Sequence, residues 1–159
     1  MHGAEEREYK TGDSGLIIRE MTSADIEAVS ELEKCNFSTP WRREDFEELT
    51  ENPDKGCVVA EEDGEIVGVT VYHNILGDVD ITNVQVRQDH RGRGISKLLM
   101  LEAMKAAGSI GGENFTLEVR ASNEPAIGLY ESLGFKTEGA RKNFYEHPRE
   151  DALIMWLKL

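Results

Sequence analysis

Between Val79 and Gly108 the chain reads VDITNVQVRQDHRGRGISKLLMLEAMKAAG, and the apolar period changes from two to about 3.6 across a glycine-rich turn. Val84 and Val86 share one face of a predicted strand, with Gln85 and Arg87 on the other. Beyond the turn, Ile95, Leu98, Leu99, Leu101 and Met104 follow helical spacing, and Gly108 reads as a stop. A strand that feeds a helix through Arg91-Gly92-Arg93-Gly94 calls for a sheet with a helix packed on it. Glycine lets backbone approach a ligand closely. The free N–H groups of a helix N-terminus form an anion site, to which Arg91 and Arg93 would add charged donors. Taken alone, the stretch reads equally as a phosphate cradle or as a plain strand-to-helix turn.

The rest of the chain supplies more strands and helices in alternation. LIIRE (16–20) is a short β-branched strand. A helix follows over 22–35, with Thr22 and Asp25 as a capping box and Ile26, Val29 and Leu32 on one face. Thr39 and Pro40 suit the start of a second short helix or helical pair that uses Trp41, Phe46 and Leu49. Asp63-Gly64 marks a hairpin turn inside 57–73. A strand over 114–122 places Leu117 and Val119 on one face and Glu118 and Arg120 on the other. A helix opens at Asn123, with Pro125 in its first turn, and ends at Gly134. Two strands flank a turn near His147-Pro148. The order predicts one α/β (α+β) domain over 16–159, with a mixed, mostly antiparallel central sheet flanked by helices. Residues 1–15, charged and without an apolar segment, are expected to form a flexible leader.

Of the 159 residues, 39% are hydrophobic, enough for one core. The longest apolar runs fall far short of the roughly 18 residues that span a membrane, so a cytoplasmic location is expected. Cys57 lies in an apolar run and reads as packing, and Cys35 lacks an activating motif. The histidines show no metal-ligand spacing, so no metal is expected. The net charge of −13 speaks against a nucleic-acid partner. Residues 1–65 carry 19 acidic and 7 basic side chains, residues 66–159 carry 12 and 11. That acidic half would attract a cationic partner. Lys97 stands where a dinucleotide fingerprint needs its third glycine, and a Walker A sequence is missing as well.

The sequence Arg91-Gly92-Arg93-Gly94-Ile95-Ser96 resembles the cofactor signature of the GNAT superfamily of N-acetyltransferases, with Ser96 in place of the usual Gly or Ala. Within it, FSTPW (37–41), TNVQV (82–86), TLEVRASNEPAIGLYESLGF (116–135) and YEHPREDALIMWLKL (145–159) are most similar to ribosomal-protein-alanine N-acetyltransferases, from Leu16 onward. Gln85 departs from that group, which more often has a small residue there. The resemblance implies acetyl-CoA as acetyl donor, its pantetheine arm beside Val84, Gln85 and Val86 and its pyrophosphate over Arg91, Gly92, Arg93, Gly94, Ile95 and Ser96. It also implies a cofactor contact at Asn123, a general base at Glu118, a general acid at Tyr130, and an acceptor groove near Phe37 and Trp41.

The chemistry is consistent with those roles. A free α-amino group, pKa about 7.7–8.0, can pass its proton to a carboxylate directly or through water. A thiolate of pKa about 8.5 can take a proton from a tyrosine near 10. Backbone N–H groups of the strand at Val84 or Val86 could polarise the thioester carbonyl. The expected acceptor is the N-terminal α-amine of a basic protein such as a ribosomal protein, with Ala or Ser first. A small amine or lysine acceptor, or a non-catalytic acetyl-CoA-binding module, stays open. Glu118 paired with a strand neighbour, Tyr130 as a core aromatic, and Phe37 and Trp41 as core are the plainer readings.

Overall fold

The computed structural model describes residues 7–11, 14–37 and 39–158. Its strands are β1 (Arg7–Thr11), β2 (Ser14–Glu20), β3 (Lys55–Glu62), β4 (Glu65–Ile75), β5 (Asp78–Val86), β6 (Asn114–Arg120), β7 (Lys136–Tyr145) and β8 (Glu150–Lys158). Its helices are α1 (Ile26–Asn36), α2 (Arg43–Glu51), α3 (Ile95–Ser109) and α4 (Glu124–Ser132). The strands form one sheet in the order β1-β2-β3-β4-β5-β6-β8-β7. Neighbours run antiparallel except β5 and β6, which are parallel.

Alternation along the strands sends side chains to two separate cores. Cys57 and Val59 of β3 and Val69 and Val71 of β4 face α1 and α2, where Ile26, Val29, Leu32, Phe46 and Leu49 are buried. Val58, Val67, Tyr72, Ile81 and Val86 face the other way, onto Leu99, Met100 and Ala103 of α3 and Tyr130 of α4. The expected hairpin turn is present, with positive φ at Asp63 and Gly64. Asn123 caps α4 by accepting from the Ala126 N–H, and Gly134 ends that helical region at φ 101°. Burial raises the pKa of the Cys57 thiol, as expected of a packing residue.

Two local expectations are corrected. Residues 7–11, assigned to a flexible leader, form β1, paired with β2 from Arg7↔Ile18 to Thr11↔Ser14. The charged Arg7, Glu8 and Lys10 offer no apolar alternation to read in the sequence. The remaining leader positions before Ser14 lie outside the described residues. The second helix starts at Arg43, not beside Thr39-Pro40. The Asp45 carboxylate accepts the Arg42 N–H at 2.9 Å and fixes the start there, leaving Trp41 in the preceding loop.

The entry to α1 is tied to the sheet by Asp25. Its carboxylate accepts the Thr22 N–H at 2.8 Å and takes both Arg19 guanidinium nitrogens at 2.7 and 2.9 Å, while Arg19 also reaches Glu61. Burial alone would raise the Asp25 pKa, but the bonds from Arg19 and Thr22 outweigh it and hold the pKa below its ordinary value. A depressed carboxylate pKa adds stability above the unfolded value, about 3.9, and that stability is lost as pH falls through the folded value. Asp25→Asn is therefore expected to cost about 1–3 kcal/mol at neutral pH. Its deficit against the wild type should shrink below about pH 4. Urea unfolding of both proteins at neutral and acid pH checks the sign.

Candidate active site

β5 and β6 are paired only from Asp78↔Asn114 to Asp80↔Thr116. Past that point they part, and β6 continues its ladder with β8 as far as Arg120↔Ala152. The flank of β5 from Ile81 to Val86 thus faces an opening in the sheet. A β-bulge sits in this stretch. Val69 pairs with Gln85 and Val71 with Thr82, so Thr70 alone stands opposite both Asn83 and Val84. Asn83 has φ 54°, a left-handed conformation that Asn tolerates better than most residues.

The glycine turn lies at the end of β5. Gly92 and Gly94 have φ of 79° and 80°, and a Cβ on either would meet nothing within 4 Å. Gly94 is the N-cap of α3, and no side chain caps the first N–H groups of the helix. The two arginines behave differently from expectation. Arg91 donates to the Val86 carbonyl at 3.1 Å and to Asn36 Oδ1 at 3.1 Å. Arg93 is bound to the buried Glu62 carboxylate, which also faces His90. Both guanidiniums therefore brace the turn through bonds within the protein. Ser96 is half-buried on the first turn of α3, and Ile95 is buried beneath it.

Glu118 lies on β6 beside the opening, with its side chain 28% exposed. The plainer reading of Glu118 required a strand partner. Arg120 is occupied elsewhere, with Glu150 at 3.4 Å, the Pro148 carbonyl at 2.8 Å and the Tyr145 ring at 4.3 Å. Arg141 of β7 stands 3.8 Å from Glu118 Oε2, within ion-pair range. That oxygen is nevertheless buried and accepts no hydrogen bond. Asp80 occupies the same face of the sheet, across from Thr116, and went unremarked in the sequence because β5 was read from its valines. Burial, then the nearby Glu118 charge, raise its pKa, against His73 and Arg141.

Tyr130 is buried between α4 and the sheet, its ring 6.1 Å from that of Phe135. Burial, with Tyr145 adding, pushes its phenol up to about 12. It is thus a weaker acid than the value near 10 assumed from sequence. Phe37 is exposed at the end of α1, whereas Trp41 is half-buried with its ring 5.2 Å from Phe46. Phe37 is therefore a surface residue, and Trp41 packs partly into the core beside α2.

Sequence reasoning missed one polar hub. Glu33, 1% exposed, accepts Asn83 Nδ2 at 3.0 Å on both oxygens, Gln85 Nε2 at 2.7 Å and the Trp41 N–H at 3.0 Å. Gln85 Oε1 in turn accepts from Asn36. The side chain of Gln85 is thus committed away from the opening, leaving only its backbone to a ligand there. A charged residue on the apolar face of α1, three after Ser30 and four after Val29, was the available signal. A separate cavity of about 480 Å³ between α1 and the β3–β4 hairpin, lined by residues such as Ala28, Cys35 and Glu65, shares none of these groups. Among the described residues no three His, Cys, Asp or Glu side chains gather as metal ligands would, and no helix is long and apolar enough to cross a membrane.

Residues 26–135 match the model of the acetyltransferase (GNAT) family. The chain is 37% identical over 143 residues to a Bacillus subtilis (strain 168) protein named "Putative ribosomal protein bS18-alanine N-acetyltransferase", covering 89% of this chain and 95% of that one. It is 29% identical to the ribosomal protein bS18-alanine N-acetyltransferase of Escherichia coli (strain K12), covering 89% and 97%. The crystal structure of the ribosomal-protein-S18-alanine N-acetyltransferase from Escherichia coli superposes with a TM-score of 0.80 at 28% identity, covering 90% of this chain and 93% of that one. Arabidopsis thaliana NAA60, solved in complex with acetyl-CoA, shares the fold at a TM-score of 0.80 and 22% identity.

The burial of Tyr130 makes a direct prediction. Followed by the ultraviolet signal of tyrosinate, Tyr130→Phe should remove no ionisation amplitude up to about pH 10, where an exposed tyrosine is half-ionised. A loss of amplitude near the ordinary value would show that the phenol is accessible to water.

Proposed function

Because the chain belongs to the GNAT family of acetyltransferases, we propose that it moves the acetyl group of acetyl-CoA to the N-terminal α-amine of a basic protein. The acceptor is a ribosomal protein beginning with a small residue such as Ala or Ser. One observation carries the chemistry: Glu118 Oε2 is buried beside the opening of the sheet and accepts no hydrogen bond. That oxygen, 3.8 Å from Arg141, takes a proton from an amine entering on the α1 face, directly or through water. An α-amine is easier to deprotonate than lysine by roughly 2.5 pK units, about 3.5 kcal/mol at a shared pH.

Acetyl-CoA fits the residues present. The positive-φ glycines leave open space over an uncapped helix N-terminus, where pyrophosphate oxygens accept backbone N–H bonds from Gly92 to Ser96. The flank of β5 at Val84, Gln85 and Val86 takes the pantetheine arm, and a backbone N–H there polarises the thioester carbonyl. Asn123, exposed at the start of α4, is the further cofactor contact of this reading. Tyr130 donates a hydrogen bond to the departing sulfur. Its high pKa does not disqualify it, because burial raises a thiol pKa as well, so acid and leaving group move together.

The acceptor side is supported by charge and by kinship. Next to the loop that holds Phe37 and Trp41, α2 carries Glu44, Asp45, Glu47, Glu48 and Glu51 against Arg43. Such a surface steers a basic polypeptide toward the site and repels acidic ones. The relatives from Bacillus subtilis and Escherichia coli are named for alanine acetylation on ribosomal protein bS18.

The test offers two basic peptides, one with a free N-terminal Ala, the other N-terminally blocked with an internal lysine. Mass spectrometry should find the acetyl group on the α-amine alone, and acetylation of the lysine alone would overturn the acceptor. Glu118→Gln should lower kcat by about 10²–10⁴-fold while acetyl-CoA affinity stays unchanged. Tyr130→Phe should slow the same step, and wild-type turnover in both variants would make the two residues structural. Gly94→Val forces a β-branched residue to positive φ and fills the space over the helix. Calorimetry should show at least about tenfold weaker acetyl-CoA binding in the folded variant, roughly 1.4 kcal/mol.

A further inference from the structure

A carboxylate buried in a protein costs several kcal/mol unless donors meet it, and an apolar residue in its place often packs as well or better. Glu33 is such a group, on the sheet-facing side of α1. Its donors come from two elements. Trp41 supplies a backbone N–H from the loop between α1 and α2, Asn83 supplies its amide from the bulge of β5, and Gln85 supplies its amide from two residues further along that strand. All these bonds run toward the carboxylate, so both oxygens serve wholly as acceptors.

The chain of contacts continues. Gln85 Oε1 accepts from Asn36 Nδ2 at 3.0 Å, and Asn36 Oδ1 accepts from Arg91 Nη2 at 3.1 Å. Arg91 also holds the Val86 carbonyl, at the foot of the glycine turn. One buried carboxylate thus connects the acceptor loop, the bulge at positive φ and the turn that precedes α3. Directly or through the relay, the network reaches the three parts that the proposed acetyl transfer uses.

We propose that Glu33 is a positioning residue for acetyl transfer, holding the β5 bulge in the geometry that presents its backbone N–H to the thioester and, through Gln85 and Asn36, setting Arg91 and the phosphate turn. This inference rests on the reading of the site as an acetyl-CoA site. Glu33 touches neither substrate. It acts through Asn83, whose left-handed backbone is costly to hold without a partner, and through the amide relay to the turn.

The test compares Glu33→Gln, Asn36→Ala and, as a packing control, Val29→Ala, a buried neighbour on the same face of α1. Calorimetry measures affinity for CoA without any acceptor, and steady-state assays measure kcat and KM for acetyl-CoA with a saturating Ala-first peptide. Asn36→Ala cuts only the relay, so KM and Kd should rise about 3–10-fold with kcat within about twofold. Glu33→Gln sets an amide donor against donors and should lower kcat by about 10-fold or more in addition to weakening CoA. Adding Gln85→Glu to Glu33→Gln restores one donor–acceptor pair and should recover several-fold of the lost kcat. Val29→Ala should lower Tm and leave kcat and KM within about twofold.

A folded Glu33→Gln protein with wild-type kcat and CoA affinity would overturn the proposal. So would a Val29→Ala protein that reproduces the same kinetic losses at equal loss of Tm. Wild type that binds CoA but acetylates no peptide would instead refute the acceptor reading. The CoA affinities of the Glu33 and Asn36 variants would still decide the relay.

Discussion

The short parallel pairing of β5 with β6 is the constraint on which the rest of the site depends. Three residue pairs join the two strands, and beyond them each strand is held by something else. β6 is bound along its full length to β8, and β5 is bound to β4 on its far side. Neither can close the opening without breaking a ladder that satisfies its backbone groups, and unpaired buried backbone is costly. The opening is therefore a stable feature of the sheet. It exposes the flank of β5 to whatever enters between the strands, with the glycine turn at one end and Glu118 on the opposite strand.

The two cores keep this arrangement rigid from both faces. α3 is packed by Leu99, Met100 and Ala103 onto the middle of the sheet, which fixes where its uncapped N-terminus points. α1 and α2 cover the other face over β3 and β4 through Val29, Phe46 and Leu49, and α1 also reaches Asn83 and Gln85 of β5 through Glu33 and Asn36. The face of β5 and β6 that carries Asp80, Thr116 and Glu118 extends past that cover. Two carboxylates remain there near Arg141, and Glu118 Oε2 accepts no hydrogen bond. This layout supports the direct transfer proposed above, with the amine and the thioester on the two sides of one opening.

Much of this was legible in the chain because the signals were local. Asp63-Gly64, the glycines at 92 and 94, and Asn123 with Pro125 each impose a backbone conformation on their own neighbours, and each turn or cap is where it was expected. Strand faces followed from alternation, which placed Glu118 opposite Leu117 and Val119. Non-local features were not legible. The bulge at Asn83 depends on register with β4, and the start of α2 depends on which carboxylate takes the Arg42 N–H. β1 exists through pairing with β2. The intramolecular partners of Arg91 and Arg93 were not legible, because Asn36 and Glu62 are 55 and 31 positions away. The acidity of Tyr130 was misjudged for a related reason, since burial and not residue type sets it.

The central claim is that acetyl-CoA enters the opening between β5 and β6 and rests its phosphates on the backbone of the glycine turn. Residue-resolved amide hydrogen exchange, measured with and without saturating acetyl-CoA, tests it directly. The account predicts added protection at Val84 to Val86 and at Gly92 to Ser96, with little change along β1 to β3. Protection centred on the cavity between α1 and the β3–β4 hairpin, with none at the glycine turn, would contradict it.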